Sequence, residues 1–192
     1  AASDVYKRQT LHRAGIWLYH CSTAPMSAHI AAGMFGAVIV PPHDLPRADR
    51  EFYLVQSETY LSEHNEAEVN TAKIANETPD LTMFNGHANQ YVFEPLKARV
   101  GERVRIWVLA AGPSRGCSFH VVGTQFDTVF KEGAYTLKRG NPEGGGCQAL
   151  DLASAQGGFV EMVFEEPGRY TFVNHSFVEM ERGAKGFIEV TT

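Results

Sequence analysis

No run of eighteen apolar residues occurs in this 192-residue sequence, which removes a membrane-spanning helix. Positive charge is in short supply. Seventeen Lys and Arg stand against 22 Asp and Glu, for a net charge of −5, and a nucleic-acid surface needs a basic face to neutralise phosphates. No signal peptide is recognisable; Ala1–Gln9 (AASDVYKRQ) lacks strand alternation and reads as a junction, with a frayed native terminus as the other option. Cysteine is scarce: Cys21, Cys117 and Cys147 are odd in number and lack paired spacing, so they are no disulfide framework. The glycine-rich stretch Arg139–Gln148 (RGNPEGGGCQ) lacks the spacing of a phosphate-binding loop, which excludes a nucleotide site. Disorder is excluded too, because 44% of the residues are hydrophobic and only 20% charged.

What is present is β-sheet texture. From Gly15 onward, GIWLYHC, FGAVIVPP and EFYLVQSETY are short aromatic and branched runs bounded by Gly and Pro. The polar segment Ser62–Asp80 reads as a connector with a short helix ahead of the turn at Pro79. From Leu81 about eight strand-like runs follow at the spacing of a Greek-key sandwich. The expected fold is all-β, a cupredoxin-like Greek-key β-sandwich with one partial and one complete domain. Residues 1–14 are the junction, 15–61 the C-terminal part of a first domain, 62–80 the linker and 81–192 a complete second domain. Two or three strands cannot bury a core alone, so the first block is expected to expose sheet edges and apolar faces.

The chemistry concentrates in HCSTAPMSAHIAAGM. His20 and Cys21 are followed after seven residues by His29 and after four more by Met34. A thiolate, an imidazole and a thioether are soft donors that suit copper, and a blue-copper site takes two His, one Cys and a long axial Met. Zinc rarely uses Met, so Met34 disfavours it. Singly, Cys21 and Met34 would be ordinary core residues; together, at this spacing, they read as three of four copper ligands. The only earlier histidine, His12, is a poor candidate for the fourth, since it belongs to the same strand region as Cys21. Adjacent strand residues point to opposite faces, so His20 can serve a second metal while Cys21 serves the first.

These motifs resemble the two-cupredoxin-domain copper nitrite reductases. The likeness runs through YHCSTAPMSAHIAAGMFGAVIVPP, DREFYLVQSETY, MFNGH, SFHVVGTQFDTVF and YTFVNHSFVEMERGAKGFIEV, in that order. It implies type 1 copper ligands at Cys21, His29 and Met34, and type 2 copper ligands at His20 and His175. It also implies that His120 supplies protons and that Val122 shapes the approach of nitrite. The reaction implied is the one-electron, two-proton reduction of nitrite to nitric oxide. A small cupredoxin or cytochrome would be the donor, a homotrimer the assembly, and a periplasmic, extracellular or cell-surface location the setting. In such a trimer His20 of one subunit meets His120 and His175 of another. His43, His64 and His87 are left as structural or exposed.

The resemblance also requires a type 1 His, a type 2 His and a catalytic Asp upstream of Gly15, and the sequence contains no such segment. The expectation is therefore an N-terminally truncated reductase, inactive alone. A multicopper oxidase is the alternative, but its trinuclear cluster needs His on both sides of the Cys, and Ser22 follows Cys21. A non-catalytic cupredoxin carrier would need only the Cys21 site. Whether Cys117 and Cys147 pair is open at this level.

Overall fold

The computed structural model describes residues 9–63 and 68–192. His64 and nearly all of the junction Ala1–Gln9 lie outside the described residues. The chain opens with β1 (Gly15–His20), α1 (Met26–Ala31) and β2 (Phe35–Val40). Strand β3 (Arg50–Thr59) is followed by α2 (Thr71–Ala75), the short connector helix expected from the sequence. Then come β4 (Leu81–Phe84), α3 (Gln90–Phe93), β5 (Leu96–Arg99), β6 (Arg103–Gly112) and β7 (Cys117–Val121). The chain finishes with β8 (Thr128–Lys131), β9 (Ala134–Leu137), β10 (Ala149–Leu152), β11 (Gly157–Val163), β12 (Gly168–Asn174), α4 (Phe177–Glu181) and β13 (Lys185–Thr191).

Two sheets face each other. The six-stranded sheet has the order β4-β3-β6-β11-β8-β9 and the five-stranded sheet β10-β7-β12-β13-β5. Between them Val104, Ile106, Val108, Val160 and Met162 of one sheet meet Phe119, Val121, Leu150, Phe172 and Ile188 of the other. The rings of Phe84, Phe119 and Phe172 interlock at centroid distances of 5.6 to 6.1 Å. Strand alternation makes this possible, since residues two apart share a face.

The other face of the six-stranded sheet is buried as well. There Trp107, Leu109, Phe130 and Phe159 pack against Ile16, Leu18, Ala37 and Ile39 of the antiparallel β1–β2 hairpin. Burial on both faces explains why RVRIWVLA lacks the polar alternation of a one-sided strand. At Gly157 an added Cβ would lie 2.5 Å from Ile16 Cγ2, so only glycine lets the hairpin approach this closely. The Pro41–Asp49 linker is strapped to the same face. Arg105 donates to the Pro46 carbonyl and to Glu51 and Glu161, and Trp107 Nε1 donates to Glu51 at 2.8 Å.

Strand β3 falls within the 15–61 block expected from sequence, and it runs parallel to β6 in the six-stranded sheet. Leu54, Gln56 and Glu58 of β3 are buried in the sandwich. Among the described residues the β1–β2 hairpin forms a third, two-stranded sheet of its own. Its inward face is covered, whereas Tyr19, Met26 and Met34 are exposed. Among the described residues no helix is long and apolar enough to cross a membrane.

Candidate metal centre

The turn after β1 folds back so that the two ends of the HCSTAPMSAHIAAGM segment meet. Cys21 N donates to the Met34 carbonyl at 3.0 Å, and Met34 N donates to the His29 carbonyl at 3.0 Å. Within this frame Cys21 Sγ lies 3.1 Å from His29 Nδ1 and accepts from Thr23 N at 3.5 Å. The hydrogen bonds from Thr23 and His29 favour the thiolate and lower the Cys21 pKa to about 7. A thiolate and an imidazole this close fit a copper ion by donor chemistry, with Met34 held beside both through its backbone.

Helix α1 carries His29. Its Ala28 and Ala31 pack on Tyr60 and Ile74, which leaves His29 free to turn toward Cys21. His20 is the last residue of β1 and is exposed, with Cys21 just past the strand end. Its Nδ1 donates to the Cys21 carbonyl at 2.8 Å, because a carbonyl can only accept. Nε2 of His20 therefore keeps its lone pair and is the atom able to bind a metal.

A second pair forms in the sandwich. His120 near the end of β7 and His175 just past β12 stand with ring centroids 5.2 Å apart, inclined at 70°. The ladder fixes this: Val173 lies opposite His120, and His175 N donates to the Ser118 carbonyl at 2.7 Å. His120 Nδ1 donates to the Gln148 carbonyl, which again leaves Nε2 as the free lone pair. Val122, two residues on from His120, is exposed, and so are Phe177 and Val178 beyond His175. His20 does not join this pair within the chain: among the described residues no three His, Cys, Asp or Glu side chains gather at one point.

No protein-family model matches the chain. Individual proteins do. The chain is similar to copper-containing nitrite reductases. The reductase of Neisseria gonorrhoeae is 36% identical over 183 residues, which is 92% of this chain and 45% of that protein. A solved copper nitrite reductase from Nitrosomonas europaea superposes with a TM-score of 0.81 at 29% identity, over 94% of this chain and 63% of the other. A solved multicopper oxidase reaches 0.76 at 26% identity, over 93% and 57%. The chain thus spans about half the length of the Neisseria reductase, and its two sheets form the cupredoxin-like sandwich expected from sequence.

His43 Nδ1 pairs with Asp44 at 2.7 Å in solvent, and His87 Nδ1 donates to the Ala88 carbonyl. The cysteine question is answered: Cys21, Cys117 and Cys147 are all free thiols. Cys117 is in the sandwich core, where burial pushes its thiol pKa far up, and Cys147 Sγ donates to the Ala149 carbonyl at 3.1 Å. Sequence reasoning missed a set of buried polar residues that lies behind the Cys21–His29 and His120–His175 pairs, namely Gln56, Glu58, Tyr60 and Asn174. Asn174 is fully buried; its Oδ1 accepts from Ser118 N and Ser176 N, and its Nδ2 donates to Gln56. Only its position beside His175 could have drawn notice.

Proposed function

We propose that this chain is part of a copper-dependent nitrite reductase that forms nitric oxide. In this reading Cys21, His29 and Met34 hold a type 1 copper, and His20 and His175 hold a type 2 copper. The observation that carries it is the approach of Cys21 Sγ to His29 Nδ1 at 3.1 Å, with the neighbouring His20 hydrogen-bonded through Nδ1 and its Nε2 free. The covalent link from Cys21 to His20 is then a short electron path between two sites. The remaining ligands, one His for each copper, and a catalytic Asp belong to a segment outside these 192 residues, so the activity is that of a longer protein. The division into a partial first and a complete second domain is part of the same proposal, with β3 assigned to the second.

Nitrite takes up one electron and two protons and yields nitric oxide and water. Copper would supply the electron and the Lewis acidity that polarises nitrite. This chain's residues do the rest. The Gln148 carbonyl fixes the His120 tautomer, so that a protonated His120 presents Nε2–H to a substrate oxygen. Val122 limits the space on the same side of the strand. Exposed Val122, Phe177 and Val178 around the histidine pair form an apolar rim suited to burial against a second subunit, which supports a homotrimer in which His20 reaches His175 of a neighbour. A small cupredoxin or cytochrome as electron donor and a periplasmic or cell-surface location complete the proposal.

The multicopper oxidase reading has the structural likeness at a TM-score of 0.76 in its favour and Ser22 against it. The gene-length protein, loaded with copper and supplied with a reduced dye, separates the two. Nitrite-dependent nitric oxide formation that is lost in His175→Ala and in Cys21→Ser supports the reductase. Oxygen consumption without nitric oxide formation would replace it with the oxidase. A single copper per chain with neither activity would leave an electron carrier.

A further inference from the structure

Gln56 and Glu58 lie two residues apart on one face of β3 and Tyr60 follows just past its end, and all three are at most 1% exposed. Three polar side chains in a row inside a core require partners, since an unpaired buried polar group costs about 1–3 kcal/mol. Their partners lie in the segments that carry the metal ligands. Gln56 Nε2 donates to the Gly116 carbonyl at 2.9 Å, and its Oε1 accepts from Asn174 Nδ2 at 2.9 Å, next to His175. Glu58 Oε1 accepts from the backbone N–H groups of Ser114 and Arg115, in the turn that leads into β7 and His120. Glu58 Oε2 accepts from the Tyr60 hydroxyl, and the Tyr60 ring is the floor beneath Ala28 and Ala31 on either side of His29.

We infer that Gln56, Glu58 and Tyr60 form a positioning rail that sets the Cys21–His29 pair and the His120–His175 pair from one strand and its end, with Glu58 as the shared anchor. The inference rests on the metal-site reading above. None of the three residues touches a ligand atom. Each acts through the helix or turn that carries one: Tyr60 through α1, Glu58 through Ser114 and Arg115, Gln56 through Gly116 and Asn174. Arg115 extends the rail, because its Nε faces Glu179 of α4 at 3.8 Å, just beyond His175.

Two readouts test this, one of them independent of copper. In the metal-free protein, amide hydrogen exchange is followed in α1 and in residues 114–121. Tyr60→Phe removes one hydroxyl and keeps the ring. It is expected to speed exchange in α1 by about threefold or more and leave 114–121 unchanged, the scale of one weakened hydrogen bond. Glu58→Ala is expected to speed both segments by about tenfold, and Glu58→Gln, which keeps an acceptor for the two amides, to restore residues 114–121 to within about twofold. In the copper-loaded gene-length protein the thiolate-to-copper absorption band should shift or weaken in Tyr60→Phe and Glu58→Ala. Unchanged exchange in α1 and an unchanged band in Tyr60→Phe would overturn the rail, even if Glu58→Ala fails to fold. A wild-type protein with no such band would count against the metal assignment, while the exchange data would still decide the rail.

Discussion

Cys21 and His29 share the single connection between β1 and β2, whereas His120 and His175 come from β7 and the end of β12, which only the sheet register brings together. The first pair is held by a few backbone bonds and by two small residues on Tyr60. The second rests on a sandwich closed by interlocking aromatic rings. A locally built pair should therefore depend on its hairpin, and a register-built pair on the common core. Substitutions that separate the two regions can break this contrast.

Phe119→Ala should have the largest effect. It empties the centre of the ring cluster beside His120 and should cost about 3–5 kcal/mol in denaturant unfolding. The His120–His175 ring contact, seen by NMR, should be lost with it. Ile16→Ala should cost about 2–5 kcal/mol at its own site, and the damage should stay with the hairpin. Exchange protection in β1 and β2 should fall while β7 and β12 keep theirs. Equal loss in both regions would mean that the hairpin and the sandwich are one cooperative unit.

Smaller effects follow from charge. Burial raises the Asp127 pKa, but the hydrogen bonds from Arg103 and Thr128 outweigh it and hold the carboxyl below its ordinary value. The folded protein then binds this proton less readily than the unfolded chain. The stabilisation is complete above the ordinary carboxylate pKa and is lost as pH falls through the lowered one. Glu58 has the opposite sign: burial raises its pKa against the hydrogen bonds from Tyr60, Arg115 and Ser114. Its contribution is present below the ordinary value and fades as pH rises through the raised one. Asp127→Asn should flatten the acid side of the stability profile and Glu58→Gln the segment above it; matching profiles for both variants would contradict the assignment.

The last contrast is one of reactivity. In the metal-free protein the alkylation rate of Cys21 should rise with a midpoint near pH 7, while the core thiol of Cys117 stays unreactive until unfolding. Mass spectrometry after timed iodoacetamide treatment reads this directly. A Cys21 midpoint near that of a free thiol would remove the hydrogen-bonded thiolate from the account.

The first pair was legible in the sequence because its members share one short segment and are soft donors. The adjacency of His20 and Cys21 was legible for the same reason. His120 and His175 could be named only through the family likeness, since nothing local links FHV to VNH; the β7–β12 register does. The sheet of β3 was not legible, because its run resembles the hairpin strands and only pairing with β6 reveals it. Gln56 and Glu58 are polar residues within a β run, and nothing local in the sequence marks them as buried. Their burial follows from partners more than fifty residues away in sequence, on the turn after β6 and beside His175.

Paramagnetic resonance of the copper-loaded gene-length protein and its His20→Ala variant tests the central claim most directly. Wild type should give two copper signals, one with the narrow hyperfine splitting of a thiolate site. His20→Ala should lose the other signal and keep the thiolate one. Loss of the thiolate signal in His20→Ala, or survival of both, would mean that neighbouring residues 20 and 21 do not serve different metals.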